Sequence, residues 1–144
     1  MKISQISLDQ VVDLRHKILR PHQTRQDCIY AGDDNPGAAH FGVFDDARLV
    51  GIASVYPEKE TGEVSSTAWR LRGMAIDSDL RGKGVGRQLV GCFTDYIREQ
   101  GGIYIWCNAR TVAYGFYEKL GFIKIGDEFD IPGIGVHSVM KFIL

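Results

Sequence analysis

The segment that most constrains the fold of this 144-residue chain is a glycine-rich turn, Leu80-Arg81-Gly82-Lys83-Gly84-Val85-Gly86. An apolar strand is predicted before it, from Trp69 to Ile76, and an amphipathic helix after it, from Val85 to Gln100. Glycines at a helix start leave backbone N–H groups uncovered, and the helix dipole adds a positive field there. Basic side chains in and beside the turn further favour a phosphate-bearing ligand: Arg81, Lys83 and Arg87.

The spacing of this turn excludes two common nucleotide-binding motifs. A Walker loop requires Gly-Lys followed by Ser or Thr, but Lys83 is followed by Gly84. A dinucleotide fingerprint requires Gly-x-Gly-x-x-Gly after a first strand, whereas these glycines alternate and lie late in the chain. On this pattern alone, a tight connection without a ligand remains an open alternative to the phosphate site.

Composition excludes several classes of protein. The net charge is −1 and the pI is about 6.4, which gives no support to nucleic-acid or anionic-membrane binding. The chain shows neither a signal-peptide pattern nor a membrane-spanning apolar run, so the expected location is cytoplasmic. Three cysteines without C-x-x-C spacing and four scattered histidines predict reduced thiols and no metal site.

Periodicity and punctuation predict alternating helices and strands. Ser7-x-x-Gln10 is a capping box that opens a first helix, and Pro21 ends this helix. The polar segment 22–39 is predicted to be a loop or an irregular helix. Further strands and a final helix follow in this order: strands at 40–44 and 49–55 joined across Asp45-Asp46, the strand and helix around the turn, a strand at 103–107, a helix at 112–120, and strands at 123–125 and 137–143.

Two motifs together resemble the Gcn5-related N-acetyltransferase (GNAT) superfamily. The Arg-x-x-Gly-x-Gly turn resembles its acyl-CoA loop, and Phe116-Tyr117-Glu118-Lys119-Leu120-Gly121-Phe122 resembles its Tyr-x-x-x-Gly-Phe signature. The resemblance implies one GNAT domain over residues 1–144, of mixed α/β (α+β) class. Its twisted central sheet would have about six to seven strands, splayed between the fourth and fifth, with about four flanking helices.

Acetyl-CoA is the co-substrate that the resemblance implies, with no metal. The strand before the turn would hold the pantetheine arm, and the following strand would diverge to leave a slot for the thioester. The implied cofactor-binding residues are Met74, Ala75, Ile76, Arg81, Gly82, Lys83, Gly84, Val85, Gly86, Asn108 and Tyr117.

Four other segments resemble a narrower group, the glyphosate N-acetyltransferase type: Arg15 to Pro21, Leu71 to Ala75, Trp106 to Arg110, and Asp130 to His137. In that group, the arginines matching Arg20, Arg72 and Arg110 hold the anionic groups of an amino-acid-like substrate. The histidine matching His137 is the general base, and the tyrosine matching Tyr117 lies by the CoA sulfur.

The chemistry of these residue types agrees with those roles. A histidine titrates near neutrality and suits removal of a proton from an ammonium group, although an isolated histidine is more often structural. Guanidinium forks match carboxylates and phosphonates, but single arginines are usually solvated or ion-paired. Backbone N–H groups at Met74 to Ile76 would stabilise the oxyanion. Tyr117 would donate a proton or a hydrogen bond to the leaving thiolate, or else be a core aromatic.

The predicted function is an acyltransferase of the EC 2.3.1 class that acetylates the amine of a small anionic acceptor by direct attack in a ternary complex. An acidic amino acid or an aminophosphonate would fit. Two alternatives stay open: a peptide or protein N-acetyltransferase, and an acyl-CoA-binding module without catalysis. A monomer and a homodimer are both compatible with the sequence.

Overall fold

Seven strands form one sheet in the computed structural model, which describes residues 1–144, with the order β1-β2-β3-β4-β5-β7-β6. The strands are β1 (Lys2–Gln5), β2 (Ala39–Asp45), β3 (Arg48–Tyr56), β4 (Ala68–Ile76), β5 (Tyr104–Arg110), β6 (Ile123–Ile131) and β7 (Gly135–Ile143). The helices are α1 (Leu8–Ile18), α2 (Val85–Glu99) and α3 (Tyr114–Lys119), with 3-10 helices at Gln26–Cys28, Ser78–Leu80 and Thr111–Ala113. None of the helices is long and apolar enough to cross a bilayer.

The sheet is mixed, as predicted. The pairs β1–β2, β2–β3, β5–β7 and β6–β7 are antiparallel, whereas β4 and β5 run parallel. Strand β4 pairs with β5 at Ala68, Trp69 and Arg70. The predicted fold class is therefore confirmed.

The largest differences between the elements and the sequence prediction lie in three places. Strand β1 was not placed, because its four residues carry little apolar alternation and it is recognisable mainly by its pairing with β2. Strand β6 extends to Ile131, beyond the predicted 123–125, because an irregularity after Ile125 interrupts the strand pattern. Segment 22–39 contains turns and one 3-10 helix, so there are three α-helices rather than about four.

Contacts divide the chain into two units. The first comprises Met1–Tyr56 and Leu71–Tyr96, and the second comprises Pro57–Arg70 and Ile97–Leu144. The core of the first unit contains the fully buried α1 residue Val11 beside Leu14, Ile52 and Ala75. In the second unit the largest fully buried side chains are Ile97, Ile105, Phe122 and Met140.

Helix α1 begins and ends where its sequence predicts. The Ser7 hydroxyl accepts the Gln10 backbone N–H at 3.4 Å, and the Gln10 side chain accepts the Ser7 N–H at 3.1 Å. This reciprocal capping box satisfies two N–H groups that the helix itself leaves unpaired. The helix ends at Ile18, three residues before Pro21.

A buried ion pair fastens α1 to the segment that follows it. Arg15 is fully buried, and its guanidinium contacts the carboxylate of Asp33 at 2.6 and 3.0 Å. The same guanidinium donates to the Cys28 carbonyl at 2.8 Å. Burial alone would raise the pKa of Asp33, but hydrogen bonds from Arg15, Tyr56 and the Tyr30 N–H lower it below the ordinary value. The carboxylate is therefore held charged and fully hydrogen-bonded.

The network continues onto strands β2 and β3 with defined hydrogen positions. Arg15 donates to the Ser54 hydroxyl at 2.9 Å, and Ser54 Oγ lies 2.7 Å from His40 Nδ1. His40 Nε2 lies 3.0 Å from the Asp33 carbonyl, which only accepts, so Nε2 carries the proton and Nδ1 accepts from Ser54. Segment 22–39, although irregular, is thus tied to the sheet by buried polar groups.

We predict that Asp33→Ala lowers the free energy of unfolding by about 3–5 kcal/mol, because it leaves the Arg15 charge buried without its partner. Asp13→Ala is the matched control, since the Asp13 carboxylate pairs with Arg25 at 2.8 Å on the surface. This variant should leave the urea midpoint nearly unchanged, because exposed ion pairs contribute little to stability. Urea unfolding curves measure both, and equal small losses would contradict the structural role of the buried pair.

The same pair predicts a pH dependence. Because the pKa of Asp33 is lowered, its stabilisation is fully present above the ordinary carboxyl pKa of about 3.9 and is lost as the pH falls below it. As the pH is lowered through the carboxyl pKa, the urea midpoint of the wild type should fall more steeply than that of the Asp33→Ala variant.

Candidate active site

The glycine-rich turn lies where the sequence places it, between β4 and α2. Residues 81–84 are exposed, and both Gly82 (φ +78°) and Gly84 (φ +79°) adopt the left-handed conformation that glycine tolerates best. A hydrogen bond from the Asp77 N–H to the Val50 carbonyl, 2.8 Å long, anchors the end of β4 just before the turn. The turn is therefore held at its base and open at its tip.

The start of α2 has the electrostatics of an anion site. The Gln88 N–H donates to the carbonyl of Gly84, the residue just before α2, at 3.1 Å, as in a regular helix. The N–H groups of the helix's first residues therefore lack intrahelical acceptors. The first turn of α2 carries no acidic side chain that would repel an anion. Arg81 Nε donates to the Ile76 carbonyl at the end of β4, at 3.4 Å.

Strand β4 contains a residue in the left-handed conformation, Gly73, directly before Met74. Gly73 has φ +61°, and a Cβ there would lie 2.9 Å from Arg15 Nε and 3.2 Å from the Tyr30 ring. Only glycine fits both the conformation and the space. Beyond it, Ala75 is buried while Met74 and Ile76 are half-buried, so the backbone groups predicted to contact the thioester follow an irregular step in the strand.

Tyr30 contacts two of the predicted site arginines, although the sequence analysis did not single it out. The guanidinium carbons of Arg15, Arg72 and Arg20 lie 4.1, 4.4 and 5.6 Å from the centre of its ring. Its hydroxyl accepts from Arg20 Nε at 3.4 Å, and its backbone N–H donates to Asp33 at 2.6 Å. Two of the predicted acceptor-binding arginines, Arg20 and Arg72, are therefore brought to one aromatic ring by cation–π contacts.

The second unit contains His137, Arg110 and Tyr117. His137 is the third residue of β7 rather than its first and is only 4% exposed. Its Nδ1 lies 2.7 Å from the Gly135 carbonyl. A carbonyl only accepts, so Nδ1 carries the proton and the neutral ring has its lone pair on Nε2. This is the tautomer that a base acting through Nε2 requires.

A row of side chains crosses three strands around this histidine. His137 pairs with Arg110 on β5 and with Phe129 on β6. Directly opposite residues of antiparallel strands project from the same face, so the three side chains share one face. The Phe129 ring stacks on the imidazole, with centroids 6.1 Å apart and an angle of 28° between the rings.

Tyr117 lies on α3 among aromatic side chains. The rings of Phe116 and Phe122 are each 5.2 Å from its centre. Burial and the nearby Cys107 raise the pKa of Tyr117 above its ordinary value, and Arg110 only partly opposes them. Tyr117 is therefore a neutral hydroxyl group at physiological pH, able to donate a hydrogen bond.

The remaining sequence-predicted residues are also located. Asn108 is half-buried on β5 opposite Val139. Arg70, which is not among the predicted site residues, is ion-paired with Glu58 at 3.1 Å and lies over the Trp106 ring. No group of three or more His, Cys, Asp or Glu side chains is arranged to hold a metal ion.

The mixed seven-stranded sheet and the glycine-rich turn between β4 and α2 are compatible with the acyltransferases. Residues 8–122 match the model of the Acetyltransferase (GNAT) family. The chain is 41% identical over 140 residues to an uncharacterized N-acetyltransferase, YitI, of Bacillus subtilis (strain 168), covering 97% of this chain and 94% of that protein. This chain therefore belongs to the GNAT acetyltransferases and is an acetyl-CoA-dependent N-acetyltransferase.

Solved structures share the fold at lower identity. An aminoglycoside 6'-N-acetyltransferase complexed with coenzyme A superposes with a TM-score of 0.78 at 20% identity, covering 99% of this chain and 97% of that one. The ribosomal-protein-S18-alanine N-acetyltransferase of Escherichia coli gives a TM-score of 0.74 at 19% identity, covering 99% and 92%. Their acceptors differ widely, so the shared fold does not identify an acceptor.

We predict that Gly84→Ala weakens coenzyme A binding about tenfold. Alanine in the left-handed conformation costs about 1–2 kcal/mol, and a backbone that leaves this conformation turns the N–H groups of the loop away from the phosphates. A Cβ there meets no atom within 4 Å, so steric collision plays no part. Gly101→Ala is the matched control, since Gly101 (φ +87°) is equally open and lies beyond the other end of α2. Calorimetric titration with coenzyme A should separate the variants; equal weakening in both would contradict a role for the loop in binding.

Proposed function

We propose that this enzyme acetylates the amine of a small acceptor that carries two anionic groups, such as an acidic amino acid or an aminophosphonate. The observation that carries this proposal is the cluster of guanidinium groups around Tyr30. Arg15 in that cluster is paired with Asp33, whereas the hydrogen bonds of Arg20 go to the uncharged Tyr30 and Gln23 side chains. These hydrogen bonds leave the positive charge of Arg20 available to an anionic ligand.

The sequence resemblance to the glyphosate N-acetyltransferase type supports the same acceptor class. In that group, the residues matching Arg20, Arg72 and Arg110 hold the anionic groups of the substrate. Here Arg20 and Arg72 share one ring, and Arg110 is the exposed last residue of β5. A fork of two N–H donors at each arginine matches a carboxylate or phosphonate, which a neutral or cationic amine does not offer.

His137 is the proposed general base. Most of an amino acid is present as ammonium at neutral pH, so a proton must leave before the nitrogen attacks the thioester. The hydrogen bond to the Gly135 carbonyl directs the lone pair of the neutral ring onto Nε2, which accepts that proton. The amine then attacks the carbonyl carbon, and a backbone N–H in the Met74 to Ile76 segment is proposed to stabilise the resulting oxyanion.

Tyr117 is proposed to stabilise the departing thiolate by a hydrogen bond rather than by complete proton transfer. A CoA-like thiol has a reference pKa of about 8.5, while an ordinary tyrosine already has a pKa of about 10. Burial raises the pKa of Tyr117 further, which makes the phenol a weaker acid than the thiol it would protonate. The hydroxyl remains an effective donor to a neighbouring anion.

We predict that His137→Ala lowers kcat about 100-fold or more at neutral pH, because general base catalysis typically contributes at least that factor. Coenzyme A affinity should stay within about twofold, since the phosphate loop is unchanged. His22→Ala is the control, because His22 is an exposed histidine. Thiol release from acetyl-CoA measures turnover, and a fully active His137→Ala variant would reject this base.

We predict that L-aspartate, L-glutamate, O-phosphoserine and 2-amino-3-phosphonopropionate are acetylated faster than glycinamide, spermidine, kanamycin or an alanyl peptide, because the arginine set attracts anionic groups. Arg72→Lys should raise KM for the best anionic acceptor about tenfold, since it keeps the charge but loses the fork. KM for acetyl-CoA should not change. Preference for the neutral or cationic amines would overturn the acceptor class, and preference for the peptide would favour N-terminal acetylation.

A further inference from the structure

The first residue of α3, Tyr114, joins this helix to two strands through one hydroxyl group. Its oxygen lies 2.9 Å from the Glu128 carboxylate on β6 and 3.0 Å from the Ser138 hydroxyl on β7. Above its ring, the Lys124 ammonium lies 4.3 Å from the centroid. Tyr114 is absent from the predicted site, and no step proposed above uses it.

The chemistry of the three groups fixes the direction of these hydrogen bonds. A carboxylate only accepts, so the single phenolic proton goes to Glu128. The phenolic oxygen then accepts the Ser138 proton. Ser138 is only 1% exposed, so its hydroxyl depends on a protein partner, and loss of the phenol would leave it unsatisfied.

The two hydrogen-bond partners of Tyr114, Glu128 and Ser138, are chain neighbours of Phe129 and of the proposed base. Ser138 follows His137 along β7, and Glu128 precedes Phe129 on β6. Side chains alternate along a strand, so Ser138 projects from the face opposite to His137. One phenol therefore holds the backbone beside the imidazole and beside the ring that stacks on it.

Tyr114 also precedes Tyr117 by one helical turn. Residues three apart lie on the same side of a helix, so displacement of one moves the other. Helix α3 has only six residues, and no side chain caps its start. A helix this short is held by tertiary contacts rather than by its own stability.

We propose that Tyr114 is a positioning residue that fixes α3, and hence Tyr117, relative to the strands carrying His137 and Phe129. The proposal rests on the proposed function in assigning His137 and Tyr117 to the reaction. The contact made by the Tyr114 hydroxyl would set the positions of the His137 imidazole and the Tyr117 phenol whichever group is the base. Small misplacements of reacting groups cost large factors in rate.

Tyr114→Phe tests the proposal, with Tyr104→Phe as a matched control. Tyr104 also donates to a glutamate, Glu60, at 2.6 Å, and a lysine ammonium lies 4.3 Å from its ring centre. Each substitution removes one hydroxyl and keeps one ring. Only Tyr114 has its partners beside the proposed catalytic groups.

Turnover of the panel amine that the wild type acetylates fastest should fall about tenfold in Tyr114→Phe, as expected for misplaced reacting groups, with KM for acetyl-CoA unchanged. Tyr104→Phe should keep the wild-type kcat. Equal kcat in the two variants would overturn the proposal.

Proton–nitrogen correlation spectra of isotope-labelled histidine provide a readout that does not depend on activity. The wild type and Tyr104→Phe should show His137 as the Nδ1–H tautomer, whereas Tyr114→Phe should show shifted or averaged ring signals. If His137→Ala stays active but the Tyr114→Phe spectra change, the base assignment fails and the positioning role stands. Unchanged spectra and unchanged kcat would overturn the positioning role.

A second pair of variants applies if Tyr114→Phe does not fold. Glu128→Gln keeps an oxygen that accepts the phenolic proton, whereas Glu128→Ala removes it. Glu128 is an exposed residue, so both variants are expected to fold. Loss of kcat in Glu128→Ala with retention in Glu128→Gln is the expected result, and equal kcat in both would overturn the proposal.

Discussion

The buried pair of Arg15 and Asp33 is the interaction on which the first unit depends. A guanidinium taken out of water is stabilised where its N–H groups find acceptors and a carboxylate opposes its charge. Both terminal nitrogens of Arg15 donate to groups on the 22–39 segment and on β3, and only its Nε lacks an acceptor. A stretch with no strand and only one short 3-10 helix is thereby held in one conformation.

The position of Tyr30 is a consequence of that pair. Asp33 accepts its backbone N–H, and Arg15 faces its ring, so both the main chain and the side chain are held from the interior. Arg20 and Arg72 then contact the same ring. In the proposed function, acceptor recognition at the surface is thus set by a charge pair that no solvent or substrate reaches.

Sequence patterns predicted the parts of the molecule whose signals are local. Capping, periodicity and glycine placement located α1, α2 and the loop before α2, since each depends on residues within a few positions. The roles of Tyr30 and Tyr114 depend on partners far away in the chain, such as Arg72 and Ser138, and neither residue belongs to a periodic pattern. The tautomer of His137 could not be predicted from the sequence either, because it depends on the hydrogen bond to the backbone carbonyl of Gly135.

The state of the cysteines restricts the chemical route that the acetyl group takes. Burial raises the pKa of each of the three free thiols, and that of Cys107, the neighbour of Tyr117, to about 12. At pH 7 only about one Cys107 in 10⁵ is then a thiolate, the form that attacks thioesters. Acylation of these sulfur atoms is therefore disfavoured, which favours direct transfer of the acetyl group from acetyl-CoA to the amine. Sequential rather than ping-pong kinetics are the expected consequence.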